Sequence, residues 1–199
     1  PDDAHDIREA HGFSISGDVL CTATNLGQGT GVQFWDIANP LRPRKLSFLA
    51  LPGLTGGDYS PTPWWVFWQG GHTVYVAGTS GGLYLVDASD PTRPSLVNRG
   101  GAPNPIPVSQ LGMAQVNVVH AVGNLLVVSN SSDRGLATFD ISDPDQPILL
   151  DAMNERVGYS MTVNGGLVLG ANDPASIFDI SDPTQIRVVG RGPNVAEKG

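Results

Sequence analysis

The chain has 199 residues, with 25 glycines, 16 prolines, 15% charged residues and a formal net charge of −8. An acidic surface whose densest basic cluster is RPRK at 42–45 excludes phosphate-driven nucleic-acid binding. No run approaches the roughly 20 apolar residues of a membrane span, and the lone Cys21 excludes an internal disulfide or a multi-cysteine zinc site.

No stretch of a dozen residues holds a helical period. Short apolar runs recur instead, and they predict strands. In the first repeat, strands are expected at 13–16, 19–24, 32–35 and 45–51, with a hairpin at Gly17 and a turn after Asp36. The second repeat follows the loop PGLTGGDYSPTP. It begins with PWWVFWQ, turns at Gly71, runs through TVYVAG and GLYLVD, and ends its third strand at Asp87. The third repeat follows GGAPNPIPVSQLGMAQ, turns at Gly123, and reaches Asp140 after LLVVS and SNSSDRG. The fourth turns at Gly165, continues through LVLGA and reaches Asp179.

Each of these aspartates is followed by Asn-Pro or Asp-Pro, at Pro40, Pro91, Pro144 and Pro183. A carboxylate there accepts downstream N–H groups, and the residue before proline is driven away from helix. Proline itself cannot extend a ladder, so each motif stops one strand before the next begins.

Four strands in a unit of about 40–50 residues predict the blade of a β-propeller, all-β throughout. A β-sandwich is the alternative, and the fixed repeat argues against it. The phrases GLYLVDASDPTRP and GLATFDISDPDQP resemble LVIVD repeats of bacterial and archaeal envelope or secreted proteins, most closely at 83–94 and 136–147. The first repeat departs from that pattern at Trp35 and Ala38-Asn39, and the fourth has Ile186 in place of the last proline. The resemblance implies a propeller, often seven-bladed, with no single activity. Blades are expected at about 11–51, 64–98, 116–152 and 158–190 of a single domain or fragment. Four blades can close alone, but a larger ring of about seven is favoured, because related repeats come in longer arrays. The chain begins at Pro1 with no legible leader, so it is expected to be processed, trimmed or partial.

The irregular segments all fall on one face, where binding is expected. Asp58, Tyr59, Arg134, Glu155 and Arg156 are the candidates there. Alignment on the hairpin glycines brings His11, Trp65, Asn117 and Tyr159 into one column at the channel mouth. Their alternative role is to plug the channel. The next column, Phe13, Phe67, Val119 and Met161, is read as core. In PWWVFWQ, inter-blade packing is favoured over a platform that stacks a sugar ring or a cation.

The histidines do not converge, and one aspartate per turn is structural rather than a calcium loop, so no metal and no cofactor is expected. No catalytic residue is assigned, and Cys21 reads as a small core residue. The expected function is a non-catalytic interaction or assembly module at the cell envelope, cell surface or outside the cell, with a protein partner. The alternative is a propeller enzyme or carbohydrate binder with a channel-mouth pocket, where His11 supplies acid–base chemistry with Asp58 or Glu155.

Overall fold

The computed structural model describes residues 7–26, 29–55, 61–98, 103–131, 135–171 and 174–193. Among them the chain forms strands and turns without helix. Sheet 1 contains β1 (Ile7–Ser16), β2 (Val19–Leu26), β3 (Gly29–Asp36) and β4 (Arg44–Ala50). Sheet 2 contains β5 (Trp65–Phe67), β6 (Thr73–Ala77), β7 (Leu83–Asp87) and β8 (Ser95–Leu96). Sheet 3 contains β9 (Val118–Val122), β10 (Leu125–Ser129), β11 (Leu136–Asp140) and β12 (Ile148–Met153). Sheet 4 contains β13 (Met161–Asn164), β14 (Leu167–Gly170), β15 (Ser176–Asp179) and β16 (Arg187–Arg191). Each sheet is a four-stranded antiparallel meander, the blade of a β-propeller. The chain divides into two compact units, Pro1–Pro107 with sheets 1 and 2 and Val108–Gly199 with sheets 3 and 4.

Two local devices recur. The first is the hairpin between the first two strands. In sheets 1, 3 and 4 it has two central residues, and φ is positive only at the first: +57° at Gly17, +57° at Gly123 and +58° at Gly165. That is the pattern of a type II′ turn, which requires glycine at its first position.

The second is a double Asx turn. Asp36, Asp87, Asp140 and Asp179 each close the third strand, and each Oδ1 accepts the N–H two residues on, from Ala38, Ser89, Ser142 and Ser181. Three residues further, Asn39, Asp90, Asp143 and Asp182 repeat the bond to Leu41, Thr92, Asp145 and Thr184. The residue after the first aspartate is also anchored, because its N–H reaches a carbonyl of the hairpin turn: Ile37 to Asp18, Ala88 to His72, Ile141 to Asn124 and Ile180 to Gly166.

In unit 1 the two sheets pack face to face. Cys21, Ala23, Val32 and Phe34 of sheet 1 meet Val66, Trp68, Val74, Val76, Tyr84 and Val86 of sheet 2 in one buried cluster. Phe34 and Trp68 meet edge to face at 5.9 Å, the arrangement their ring quadrupoles favour. In unit 2, Val127 and Thr138 of sheet 3 and Val168 and Phe178 of sheet 4 are likewise buried.

Two expectations fail. Phe13, read as core, is 68% exposed. Register places it opposite Thr22, on the face of sheet 1 turned away from sheet 2. The second concerns the segment after β8, read as plain loop. Ile106 returns to pair with Leu83, its N–H 2.8 Å from Leu83 O and its carbonyl taking Leu83 N–H at 3.0 Å. Between the two stretches, Asn104 takes the place of the missing strand. Its amide donates to the carbonyls of Leu85 (2.7 Å) and Val97 (2.9 Å), and its Oδ1 accepts Leu85 N–H at 3.1 Å.

Candidate functional site

In unit 1 the first strands of the two sheets lie against each other. A Cβ on Gly12 would fall 2.7 Å from Trp65 Cα, so glycine lets β1 and β5 close. His11 stacks on Trp64 with ring centroids 4.0 Å apart, and Ser14 Oγ bridges the backbone of Trp68, donating to its carbonyl at 3.1 Å and accepting its N–H at 2.9 Å. Trp68 is buried, its indole N–H on Gly71 O at 3.2 Å. Trp64 and Trp68 thus pack against sheet 1, as alternation along PWWVFWQ predicts.

The channel-mouth column is redrawn by the strand registers. Trp65 pairs with Ala77, which holds the place of Ser129 in sheet 3, and the partner of Ser129 is Val118, not Asn117. The hairpin of sheet 2, with Gly70 and Gly71 both at positive φ, is longer than the others and shifts β5 by one residue. A one-residue shift moves a side chain to the opposite face of a sheet. Trp65 therefore does not share a position with Asn117.

In unit 2, Asn117 is only 3% exposed. Its N–H donates to Ser129 O at 2.8 Å and its Oδ1 accepts Ser131 N–H at 3.1 Å, which holds the loop after β10. Tyr159, by contrast, is 61% exposed. It lies on the segment between β12 and β13, together with Glu155 and Arg156. Arg156 Nε donates to Ser131 O at 3.0 Å, and Glu155 pairs with Arg191 at 3.0 Å. A Cβ on Gly135 would overlap Glu155 O, so this segment lies backbone to backbone with the loop after β10. Asn117, Ser131, Arg156, Glu155 and Arg191 thus form one tethered rim with an aromatic side chain on it. Asp58, Tyr59 and Arg134 lie outside the described residues, as does His5.

Burial pushes the Cys21 thiol well above its ordinary range, so it stays protonated and unreactive. Burial also pushes Tyr84 up to about 12 and lowers His120. Among the described residues no three or more His, Cys, Asp or Glu side chains come together as metal ligands. An open cup of about 300 Å³ beside Asp87, Ser89, Asp90, Arg93 and Ser95 was not anticipated. It follows from the repeated turn, and its charges bond to each other, Arg93 Nε to Asp90 at 2.9 Å.

Solved structures share this architecture. A protein from Lactobacillus plantarum is 14% identical with a TM-score of 0.71, over 94% of this chain and 56% of that one. The periplasmic gluconolactonase PpgL of Pseudomonas aeruginosa is 16% identical with a TM-score of 0.67, over 94% and 54%. The β-propeller domain of Cps50 (Swd1) from Myceliophteria thermophila is 14% identical with a TM-score of 0.61, over 96% and 61%. The chain thus spans little more than half the length of each. No curated protein matches it. No helix among the described residues is long and apolar enough to cross a membrane. Residues 69–99 match the LVIVD repeat, the stretch in which GLYLVDASDPTRP carries the resemblance, so the chain bears an LVIVD repeat within a β-propeller fold.

Proposed function

We propose that the chain is a non-catalytic interaction or assembly module of an envelope, surface or secreted protein, and that it binds a protein partner through its loop-rich face. The observation that carries this reading is the rim of unit 2. Tyr159 stands 61% exposed on the segment that Arg156 fastens to Ser131 and Glu155 to Arg191. Tyrosine and arginine on a rigid support are the residues that dominate protein interfaces, because they add contact area with little loss of conformational freedom. The polar residues around them are engaged in holding the loops, which suits a docking surface better than a reaction centre. An envelope or extracellular location is supported by the LVIVD repeat and by the fold shared with a periplasmic protein.

The test is affinity capture from an envelope extract with the wild type, Tyr159→Ala and Arg156→Ala. The reading expects a specific partner lost in both variants while their melting temperatures stay near wild type. Equal capture by all three refutes it.

The second reading, a propeller enzyme or sugar binder, is favoured by the stacking of His11 on Trp64 beside the first strands of unit 1. Turnover of a sugar lactone, abolished by His11→Ala in a folded protein, would establish it in place of the first.

A further inference from the structure

The turn after β3 differs from the other three in its chemistry but not in its backbone. Asn39 Oδ1 accepts Leu41 N–H at 3.2 Å and its carbonyl accepts Arg42 N–H at 2.9 Å, as the aspartates do in the turns after β7, β11 and β15. Pro40 and Pro43 flank the tip and fix their own φ, so the turn is rigid. Leu41 stands where the other turns have Thr92, Asp145 and Thr184, and it is 91% exposed. Asn39 replaces an aspartate, which removes a negative charge, and Arg42, Arg44 and Lys45 follow. Three cations face one carboxylate in 36–45, whereas 87–96, 140–149 and 179–188 each hold more carboxylates than cations.

The exposure belongs to the position in the turn. Sheet 2 has sheet 1 packed against it, and the turn of sheet 4 is fastened to sheet 3. The counterparts of Leu41, Arg42 and Arg44 are nevertheless exposed in both: Thr92, Arg93 and Ser95 in one, Thr184, Gln185 and Arg187 in the other. A blade packed in the same way on sheet 1 therefore leaves this tip in solvent.

We propose that the turn is an anchor for an anionic lipid surface. Leu41 enters the apolar layer beneath the headgroups, while Arg42 and Arg44, with Lys45 behind them, take phosphate oxygens, which the guanidinium fork matches in shape. Shape also decides for a lipid over a protein. One aliphatic side chain on a convex tip offers no groove, and a turn of this length falls well short of the roughly 800 Å² per side that a stable protein interface buries. A bilayer needs no matching surface, and it takes an inserted side chain and a few cations together. The carboxylates nearby are Asp36, which Arg44 holds at 3.0 Å, and Asp18 in the adjoining hairpin, whose carbonyl takes Ile37 N–H at 2.8 Å. More distant charges are screened beyond about 8–10 Å at physiological ionic strength, so the net charge of −8 does not govern the contact. The proposal does not rest on the partner proposed for the rim of unit 2.

The test is cosedimentation of the full chain with vesicles at low salt. The wild type is expected to bind vesicles of phosphatidylglycerol and phosphatidylcholine in equal parts, and to stay in the supernatant with phosphatidylcholine alone. Arg42→Gln and Arg44→Gln are each expected to weaken binding about fivefold, and Leu41→Ser about tenfold. All three should melt near wild type, because the side chains removed lie in solvent. A polarity-sensitive dye on Leu41→Cys is expected to shift to the blue with the anionic vesicles, and Cys21 is too buried to take the label. A wild type that ignores anionic vesicles overturns the proposal. So does binding that all three variants keep, which would place the contact elsewhere. An envelope protein captured by the wild type and lost in Leu41→Ser, with vesicle binding unchanged, would assign the turn to a protein partner instead.

Discussion

Asn104→Ala tests whether one side chain replaces a stretch of strand. Removing the amide deletes three hydrogen bonds, of 2.7, 2.9 and 3.1 Å. Leu85 O keeps a partner, because Val97 N–H donates to it at 3.0 Å, so the groups left unpaired are Leu85 N–H and Val97 O. Both residues are at least nine-tenths buried, and an orphaned buried backbone group costs about 1–3 kcal/mol. The expected loss is therefore about 3 kcal/mol, a fall in melting temperature on the order of 10–20 °C for a unit of this size. The readout is local, since Trp35, Trp64, Trp65 and Trp68 all lie in the Pro1–Pro107 unit and tryptophan fluorescence in urea follows that unit alone. Asn104→Asp keeps the acceptor for Leu85 N–H but sets a carboxylate against two carbonyls, so it should be at least as damaging at neutral pH and partly recover in acid. A loss below about 1 kcal/mol for Asn104→Ala would refute the reasoning, since even one orphaned group exceeds that.

Phe34→Ala removes a fully buried ring and its edge contact with Trp68, and should cost about 3–5 kcal/mol in the same fluorescence assay. Gly82→Ala places a Cβ on Ile106 O at φ +100°, so the variant should melt well below wild type or fail to fold in a thermal scan. His120 is half-buried, and burial holds its folded pKa below the unfolded value, so its neutral form favours the fold: stability is full above about pH 6.5 and falls as pH drops toward the folded pKa. His120→Gln should flatten that slope in urea midpoints followed by circular dichroism. Hydrogen bonds hold Asp36, Asp140 and Asp179 below the usual carboxylate range, so their contribution is present above about pH 4 and lost as pH falls through the folded pKa. An Asp140→Asn, Asp179→Asn double variant should show a shallower acid limb.

The blades were legible because their punctuation is local. A glycine that must take positive φ and an aspartate that bonds two residues ahead act within a few residues, so their spacing alone marks strand ends at Asp36, Asp87, Asp140 and Asp179. What was not legible depends on partners distant in sequence. Asn104 pairs with Leu85, 19 residues away, and nothing in NPIP distinguishes that role from a turn asparagine. Phe13 sits where Val66 sits, but only the presence or absence of a covering sheet decides whether such a residue is core. β1 begins at Ile7 rather than near Phe13, because its irregular pairing between Ala10 and Phe13 breaks the alternation that would have revealed it. The Trp65 column failed for a smaller reason, the longer Gly70-Gly71 hairpin. On the rim of unit 2, Asn117, Glu155, Arg156 and Tyr159 were candidates, but their tethers to Ser131 and Arg191 were not legible, because those partners are distant in sequence.

The repeated Asp-Pro motif has a reason to recur beyond ending a strand. Its two side-chain acceptors satisfy N–H groups within the turn, which leaves the proline carbonyl available to point outward. In unit 1, Pro91 O accepts Ser47 Oγ of sheet 1 at 2.6 Å. In unit 2, Pro183 O accepts Thr138 Oγ1 of sheet 3 at 2.6 Å, and close by Asp151 Oδ2 accepts Ile186 N–H at 2.8 Å. Proline serves well here, because it has no N–H of its own to satisfy and its fixed φ presets the turn that aims the carbonyl. The same short phrase therefore closes one blade and fastens the blade before it. A chain that must stack like units has to carry such a phrase in every unit, whereas the other connecting loops are free of that requirement and can vary. That division between a constant joining edge and variable loops is why the repeat announces the architecture so clearly and is silent about the ligand.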